Sequence, residues 1–264
     1  MDYKILDFHT HAFPDKIAEK ATENLKTYYK IEPVSKGYYD DLLNRAAAAN
    51  VSRIVVHSTA TKPSQVVNVN TYISDLVDAY PDLLIGFGTI HPLFEDYKAE
   101  LARIKASGLK GIKLHSDFQI FDIDTPKMMP IYAEIVRLGL PILFHMGDRT
   151  LDHSSPHRLA NVISEFPDMV AIGAHLGGVF RWEDSLKHLV GKNLYFDTSS
   201  AISMITPSLA MEIIERHGVD KILFGTDFPL SDYESELKYF FDLPLNDTQR
   251  ADILYNNAAD LLHI

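Results

Sequence analysis

The 264-residue chain contains no cysteine. Disulfides, thiolate metal ligands and cysteine nucleophiles are therefore excluded, and any metal ion must rest on nitrogen and oxygen ligands. The sequence also lacks clusters of Lys and Arg, and its net charge is −11. Because binding to nucleic-acid phosphates needs clustered positive charge, we expect no nucleic-acid partner.

Long apolar segments are missing as well. No run is long enough to span a bilayer, and the first residues lack the charged-then-apolar pattern of a signal segment. We therefore expect a cytoplasmic protein with no membrane partner. The composition, 46% hydrophobic and 23% charged, is typical of a globular protein with enough material for a large core.

Short apolar runs alternate with segments of helical periodicity along the whole chain. The runs predict eight strands, at residues 5–8, 53–57, 84–89, 111–115, 142–145, 170–175, 194–197 and 222–226. The periodic segments predict helices at residues 40–49, 65–79, 97–106, 129–138, 157–165, 209–216 and 237–241. Apolar strands joined by helical crossovers indicate a parallel sheet covered by helices. Eight such units favour one α/β domain over residues 1–264, a (β/α)8 TIM barrel.

An open, doubly wound sheet is the alternative fold, although the glycine-rich phosphate loop that such sheets carry after the first strand is absent. Residues 12–50, between the first two strands, contain Tyr28, Tyr29, Tyr38 and Tyr39. We expect part of this segment to be a lid-like loop insertion over the barrel mouth. An aromatic patch that packs the loop onto the barrel is the other interpretation.

Histidines and an aspartate follow several of the predicted strands. Residues that are two positions apart on a strand point to the same face, so the side chains of His9 and His11 aim at one spot. The later strand ends add His115, His145, His175 and Asp227. Because active sites of these barrels lie at the carboxyl ends of the strands, we expect these side chains to meet there. Nitrogen and carboxylate ligands suit zinc, manganese, iron or cobalt.

Such a metal would make hydroxide available at neutral pH by lowering the pKa of its water. A carboxylate beside it, Asp227, is the candidate for taking the released proton. His175 is the candidate for polarising a substrate carbonyl or for moving a proton.

Several motifs resemble the amidohydrolase superfamily, in its amidohydrolase-related (amidohydrolase 2) branch that includes aminocarboxymuconate semialdehyde decarboxylase. They are DFHTH at 7–11, FH at 144–145, AHLGG at 174–178, GTDFP at 225–229 and NNAADLL at 256–262. The resemblance implies that His9, His11, His145 and Asp227 hold the metal and that His175 is catalytic. It also implies a homodimer. Zinc is the expected metal and manganese the alternative.

The role of Lys113 stays open between three interpretations. Many binuclear amidohydrolases bridge two metals with a carboxylated lysine at the end of strand four, and Lys113 resembles that residue. We expect one ion, or two if Lys113 is carboxylated. The other interpretations are a cation for a substrate carboxylate and a lysine paired within the barrel. His115 shares its strand parity and is predicted to face the substrate. Arg181 is predicted either to grip a substrate carboxylate or to lie at the surface or a subunit interface.

Two enzymatic functions fit these residues. The first is a metal-dependent hydrolase that acts on a small amide, ester or lactone through an activated water. The alternative is a metal-dependent, non-oxidative decarboxylase of a small unsaturated or aromatic acid. In both cases we expect a small substrate that bears a carboxylate. A barrel that binds a ligand without catalysis is disfavoured, because none of the expected ligands and proton-transfer residues has been lost.

Overall fold

The computed structural model describes residues 3–264, so residues 1 and 2 of the predicted domain lie outside the described part. It contains a sheet of eight strands, hydrogen-bonded to one another in chain order and paired in parallel. The strands are β1 (Leu6–His11), β2 (Arg53–His57), β3 (Leu84–Thr89), β4 (Gly111–Leu114), β5 (Ile142–Phe144), β6 (Ala171–Gly173), β7 (Tyr195–Asp197) and β8 (Ile222–Leu223). The eight predicted strands are all present, although β6 and β8 are shorter than predicted.

Hydrogen bonds from the end of β8 back to β1 close the barrel. The amide of Phe8 donates to the carbonyl of Phe224, and the amide of Asp227 donates to the carbonyl of His9, both at 2.8 Å. The buried carboxylate of Asp7 strengthens this closure by accepting bonds from the amide and the hydroxyl of Thr226. The prediction of a (β/α)8 TIM barrel is confirmed, and the open-sheet alternative is wrong.

Helices surround the barrel. They are α1 (Asp15–Tyr29), α2 (Tyr39–Ala48), α3 (Val66–Ala79), α4 (Tyr97–Ala106), α5 (Ser116–Gln119), α6 (Met129–Arg137), α7 (Pro156–Glu165), α8 (Trp182–His188), α9 (Pro207–His217), α10 (Tyr233–Phe241), α11 (Asp247–Ala251) and α12 (Asn257–Leu262). The seven predicted helices correspond to α2, α3, α4, α6, α7, α9 and α10. Among the described helices, none combines the length and apolar character needed to cross a bilayer.

The segment between β1 and β2, expected to be partly a lid-like loop with one helix, contains a second helix, α1, that was not predicted. Helix α1 has a buried face that includes Ala18, Thr22 and Tyr29. Its other apolar side chains, Ile17, Ala21, Leu25 and Tyr28, line a cavity. They follow a helical spacing in the sequence, although no helix was predicted there.

The core has two layers. The larger cluster lies between the sheet and the helices, and a smaller cluster fills the barrel interior. The interior cluster includes Phe8, Val55, Phe87, Leu143 and Ile172. This apolar plug makes a floor, so the polar residues at the carboxyl ends of the strands face one enclosed space above it.

Candidate metal centre

An irregularity in β1 places its two histidines. The register between β1 and β2 shifts between Asp7 and Thr10, as in a β-bulge. Phe8 consequently packs edge-to-face on Phe87 inside the barrel, while the neighbouring His9 is also buried. The rings of His9 and His11 lie 5.3 Å apart, centroid to centroid. The structure thus brings the predicted pair together.

The carboxylate of Asp227 joins this pair. Its Oδ1 lies 3.3 Å from His11 Nε2 and 3.5 Å from His9 Nε2, while its Oδ2 accepts a hydrogen bond from Ser200 Oγ at 2.7 Å. Burial disfavours its charge, but the hydrogen bond to His11 and the neighbouring histidines outweigh burial and hold the pKa of Asp227 below its usual range. The backbone of Asp227 is left-handed, with φ +68°, a strained conformation that is common at functional sites.

Close approach of β8 to β1 requires glycine at position 225. A Cβ atom there would lie 2.9 Å from the Cβ of His9 and 3.2 Å from that of Ser199. Real Cβ contacts at the shorter distance are essentially never found. Gly225 therefore allows Asp227, two residues later, to reach His9.

Asp197, at the end of β7, orients His9. The Nδ1 of His9 donates to Asp197 Oδ2 at 2.8 Å, which leaves the lone pair of Nε2 facing Asp227. Burial opposes the charge of this carboxylate, but its interactions with His9, His175 and Ser199 together outweigh burial, and the pKa of Asp197 falls to about 2. Burial, together with the charge of Lys113, lowers the pKa of His9 to about 3. Sequence reasoning did not identify Asp197, although its place at a strand end was a signal.

His145 and His175 face each other at 3.1 Å, from Nδ1 of the first to Nε2 of the second. The other nitrogen of each ring donates to a carbonyl, from His145 Nε2 to Gly147 at 3.0 Å and from His175 Nδ1 to Ser199 at 2.8 Å. With those two nitrogens donating, the lone pairs of the two facing nitrogens point at one another. A metal cation or a proton between His145 Nδ1 and His175 Nε2 would interact with both lone pairs.

His115 lies in a stack of rings at the cavity wall. Its ring is 3.8 Å from the ring of His145 and 3.9 Å from that of Phe118, nearly parallel to both. The hydroxyl of Tyr29, at the end of α1, lies 2.9 Å from His115 Nε2. Burial holds the pKa values of His115 and His145 well below their usual range, so both imidazoles are neutral. Tyr29 was read from the sequence only as part of an aromatic segment.

Lys113 is fully buried on β4. Its Nζ lies 3.1 Å from His9 Nε2, and no carboxylate oxygen of residues 3–264 lies within 4.0 Å of it. Burial lowers the pKa of Lys113 to about 8. The lysine is thus at the centre of the site, beside a candidate ligand.

The structure does not bring Arg181 to this site. Its Nε donates to the carbonyl of Asp148 at 2.9 Å, and its Nη2 to the carbonyl of Leu151 at 3.3 Å. The guanidinium therefore holds the loop that follows β5. Arg181 is absent from the described residues that line the cavity.

His57, at the end of β2, completes a group of three imidazoles. Its ring lies 4.5 Å from that of His11 and 4.9 Å from that of His9. Burial holds its pKa well below the usual range. His57 is the last residue of the strand predicted at 53–57, but the sequence analysis assigned it no role.

A cavity of about 640 Å³ opens from these residues to the outside. Its inner end is formed by His11, His115, His145 and Asp227, and its outer part runs between α1 and α3. Apolar residues of both helices line that part, including Ile17, Leu25, Val69 and Tyr72. Lys20, exposed on α1, is the one lysine or arginine among the described lining residues.

The donor set fits a divalent metal. Three groups of residues place one ligand atom each within 4.8 Å of one another: His9 with His11 and His57, His9 with His175 and Asp197, and His115 with Asp117 and His145. Neutral imidazoles and ionised carboxylates are the forms that bind metal. Nitrogen and oxygen ligands suit zinc and manganese alike.

Comparison with known proteins gives a family and a set of similar folds. The family model described as Amidohydrolase matches residues 6–264. Three solved structures with the same fold are 14–19% identical to this chain. The 5-carboxyvanillate decarboxylase of Sphingomonas paucimobilis is 14% identical, with a TM-score of 0.75 and full coverage of both chains.

The other two similar structures are named for two different reactions, a decarboxylation and a hydrolysis. A dihydroxybenzoic acid decarboxylase from Polaromonas sp. JS666, with bound manganese and 2-nitroresorcinol, is 14% identical with a TM-score of 0.77 and covers 99% of this chain and 97% of its own. A probable 2-pyrone-4,6-dicarboxylic acid hydrolase from Acinetobacter baumannii, with bound citric acid, is 19% identical with a TM-score of 0.71. The match covers 99% of this chain and 100% of the hydrolase chain. These similarities establish the fold and leave the reaction open.

Proposed function

The chain belongs to the amidohydrolase family, and we propose that it is a metal-dependent hydrolase of a small amide, ester or lactone. The observation that carries this proposal is the position of Asp227, whose ionised carboxylate faces the Nε2 atoms of His9 and His11 at 3.3–3.5 Å. A carboxylate next to imidazole ligands serves both as a metal ligand and as an acceptor for a proton of water.

We assign the metal to His9, His11, His145 and Asp227. Zinc is our first choice, and manganese, which the Polaromonas structure contains, is the second. A bound divalent cation supplies Lewis-acid chemistry, since it polarises a carbonyl and lowers the pKa of water. We propose one ion, and a second only if Lys113 is carboxylated.

Two residues of the chain handle protons in this proposal. Asp227 Oδ1 takes a proton from the attacking water, because Oδ2 is already bonded to Ser200. His175 keeps a free lone pair on Nε2, since its Nδ1 donates to the carbonyl of Ser199. It therefore accepts the proton that Asp227 has taken from the water and delivers it to the leaving group as the bond to that group breaks. Substrate contacts are assigned to His115 at the cavity wall and to Lys113, which lies next to His9.

Decarboxylation is the second candidate, and Lys113 favours it. A buried ammonium group beside the candidate metal ligands suits the carboxylate of a small unsaturated or aromatic acid. The Sphingomonas and Polaromonas neighbours are named for reactions of this kind. Against it, the guanidinium of Arg181 is bonded to loop carbonyls and is missing from the described cavity lining.

A screen after metal replacement tests the proposal. The chain is stripped with a chelator, reloaded with zinc or manganese, and offered lactones and esters beside unsaturated and aromatic acids. Ring opening or ester cleavage without release of carbon dioxide is the expected result, and Asp227→Asn should abolish it while the thermal unfolding midpoint changes little. Metal-dependent release of carbon dioxide would favour the second candidate. A purified chain that binds neither metal would refute both.

A further inference from the structure

We propose that His57 is a further ligand of the metal centre, an assignment that rests on the proposed function. His57 ends β2 directly opposite His11 of β1 in the parallel register. The two side chains therefore project side by side into the barrel interior, next to His9. The four residues assigned above do not include this imidazole.

The hydrogen bonding of His57 is incomplete in an unusual way. Both ring nitrogens are buried, and neither has a hydrogen-bond partner among residues 3–264. The residue has no exposed surface, so bulk water does not reach it. Buried polar side chains in proteins almost always have a partner. The partner of this ring is therefore something other than a side chain of the described protein.

The neighbours of His57 are themselves bases. His9, His11 and Lys113 face it, and the Nδ1 proton of His9 is already donated to Asp197. Lys113 Nζ lies beside His9 Nε2, and Asp227 Oδ1 lies beside His11 Nε2. Neither ring nitrogen of His57 has such a partner among residues 3–264. A metal cation accepts lone pairs from the imidazoles of His9, His11 and His57 at once, so it would supply the partner that His57 lacks among the described residues.

The spacing agrees with this assignment. One nitrogen from each of His9, His11 and His57 lies within 4.8 Å of the other two. With Asp227 beside His9 and His11, and with His145 as assigned above, the set contains four imidazoles and one carboxylate. Such nitrogen and oxygen sets suit zinc or cobalt. His57 thus extends the centre towards β2, on the side of the barrel away from His145.

Cobalt(II) serves as the probe, because its visible absorption reports the number and type of ligands. The full chain is compared with His57→Ala and His57→Gln, and with His91→Gln as a matched control. His91 is a buried histidine after β3 whose Nδ1 accepts from the amide of Leu93, outside the groups of candidate ligands. The measurements are chelator competition for cobalt and zinc affinity, visible absorption, and X-ray absorption to count imidazole ligands.

We expect both His57 variants to lose metal affinity by at least about tenfold, the range in which changes around metal sites fall. Their cobalt spectra should change, and the imidazole count should fall by one. His91→Gln should match the wild type. If neither variant folds, the imidazole count of the wild type decides, since ligation by His9, His11 and His145 without His57 gives three and ligation with His57 gives four.

The outcomes separate the two proposals. Wild-type protein that binds cobalt, with variants of unchanged affinity and spectrum, would overturn the assignment of His57 and leave the proposed function intact. Wild-type protein that binds neither cobalt nor zinc would overturn the metal centre, and the role of His57 with it.

Discussion

Asp197 determines which nitrogen of His9 carries the proton. Its Oδ2 accepts from His9 Nδ1 at 2.8 Å, with both side chains fully buried. Such carboxylate partners fix the tautomer and raise the basicity of a ligating histidine. We therefore expect Asp197→Asn to weaken zinc affinity by about 10- to 100-fold, measured by competition with a chromophoric chelator.

The control for this substitution is Asp220→Asn, which changes the same residue type in the short helix before β8, away from the site. Its zinc affinity should equal that of the wild type. An Asp197→Asn protein that folds normally and holds zinc as tightly as the wild type would show that the tautomer of His9 needs no carboxylate.

The state of the Lys113 side chain, unmodified or carboxylated, tests whether the chain binds one metal ion or two. Burial lowers its pKa to about 8, so a sizeable fraction of the amine is neutral near that pH and able to react with carbon dioxide. The single-ion proposal expects an unmodified lysine and one metal per chain. Intact mass under gentle conditions, with metal analysis of the same sample in the presence of bicarbonate, checks both. A mass increase equal to one carbon dioxide, with two metals per chain, would establish the bridged form instead.

Only some of the histidines and aspartates that end strands could be assigned to the site from the sequence. His9, His11 and Asp227 could be found because strand parity and barrel geometry send them to one mouth. Asp197 and His57 also end strands, but their roles come from hydrogen bonds and ring contacts across the barrel. No spacing along the chain encodes such contacts.

Helix α1 shows the same limit for a whole element. Ile17, Ala21, Leu25 and Tyr28 follow a helical spacing of four, four and three, which was an available signal. Charged residues between them, and an apolar face that lines a cavity instead of the core, made the segment look like a loop. The barrel could be predicted, since its strands are apolar on both faces, whereas the shape of this insertion could not.

Because α1 forms one wall of the cavity, filling that wall should change substrate binding and leave the metal in place. We expect Ala21→Phe to raise KM by about tenfold, equal to ~1.4 kcal/mol of lost binding, for any substrate long enough to reach α1. Zinc affinity should stay unchanged. Thr27→Phe, on an exposed position of the same helix, is the control. A KM equal to that of the wild type would place the substrate away from α1.

The pH dependence of folding belongs to the whole molecule, and Glu236 contributes to it. This carboxyl group is fully buried in α10, where its Oε1 accepts from Ser203 and Ser231 and its Oε2 has no partner among residues 3–264. Burial raises the pKa of Glu236 to about 8, from the usual 4.5 of a glutamate. The folded protein therefore keeps a proton that the unfolded chain releases between these two pH values.

The sign of this effect follows from proton binding. Between about pH 4.5 and 8 the native state holds the extra proton, so the free energy of unfolding falls as pH rises, by up to about 1.4 kcal/mol per pH unit from this group. The contribution is complete below pH 4.5 and lost through pH 8. Glu236→Gln removes the titration, so its stability relative to the wild type should increase steadily from pH 5 to pH 8.

Urea unfolding at four pH values across this window measures the difference. Glu212→Gln, on the exposed side of α9, is the matched control for the change from Glu to Gln. Asp7, whose pKa burial raises to about 7, also destabilises the protein as pH rises, so the comparison uses the difference between variant and wild type and not the raw slope. Parallel pH profiles for Glu236→Gln and the wild type would mean that Glu236 is already ionised in the folded protein, with water or a cation beside Oε2.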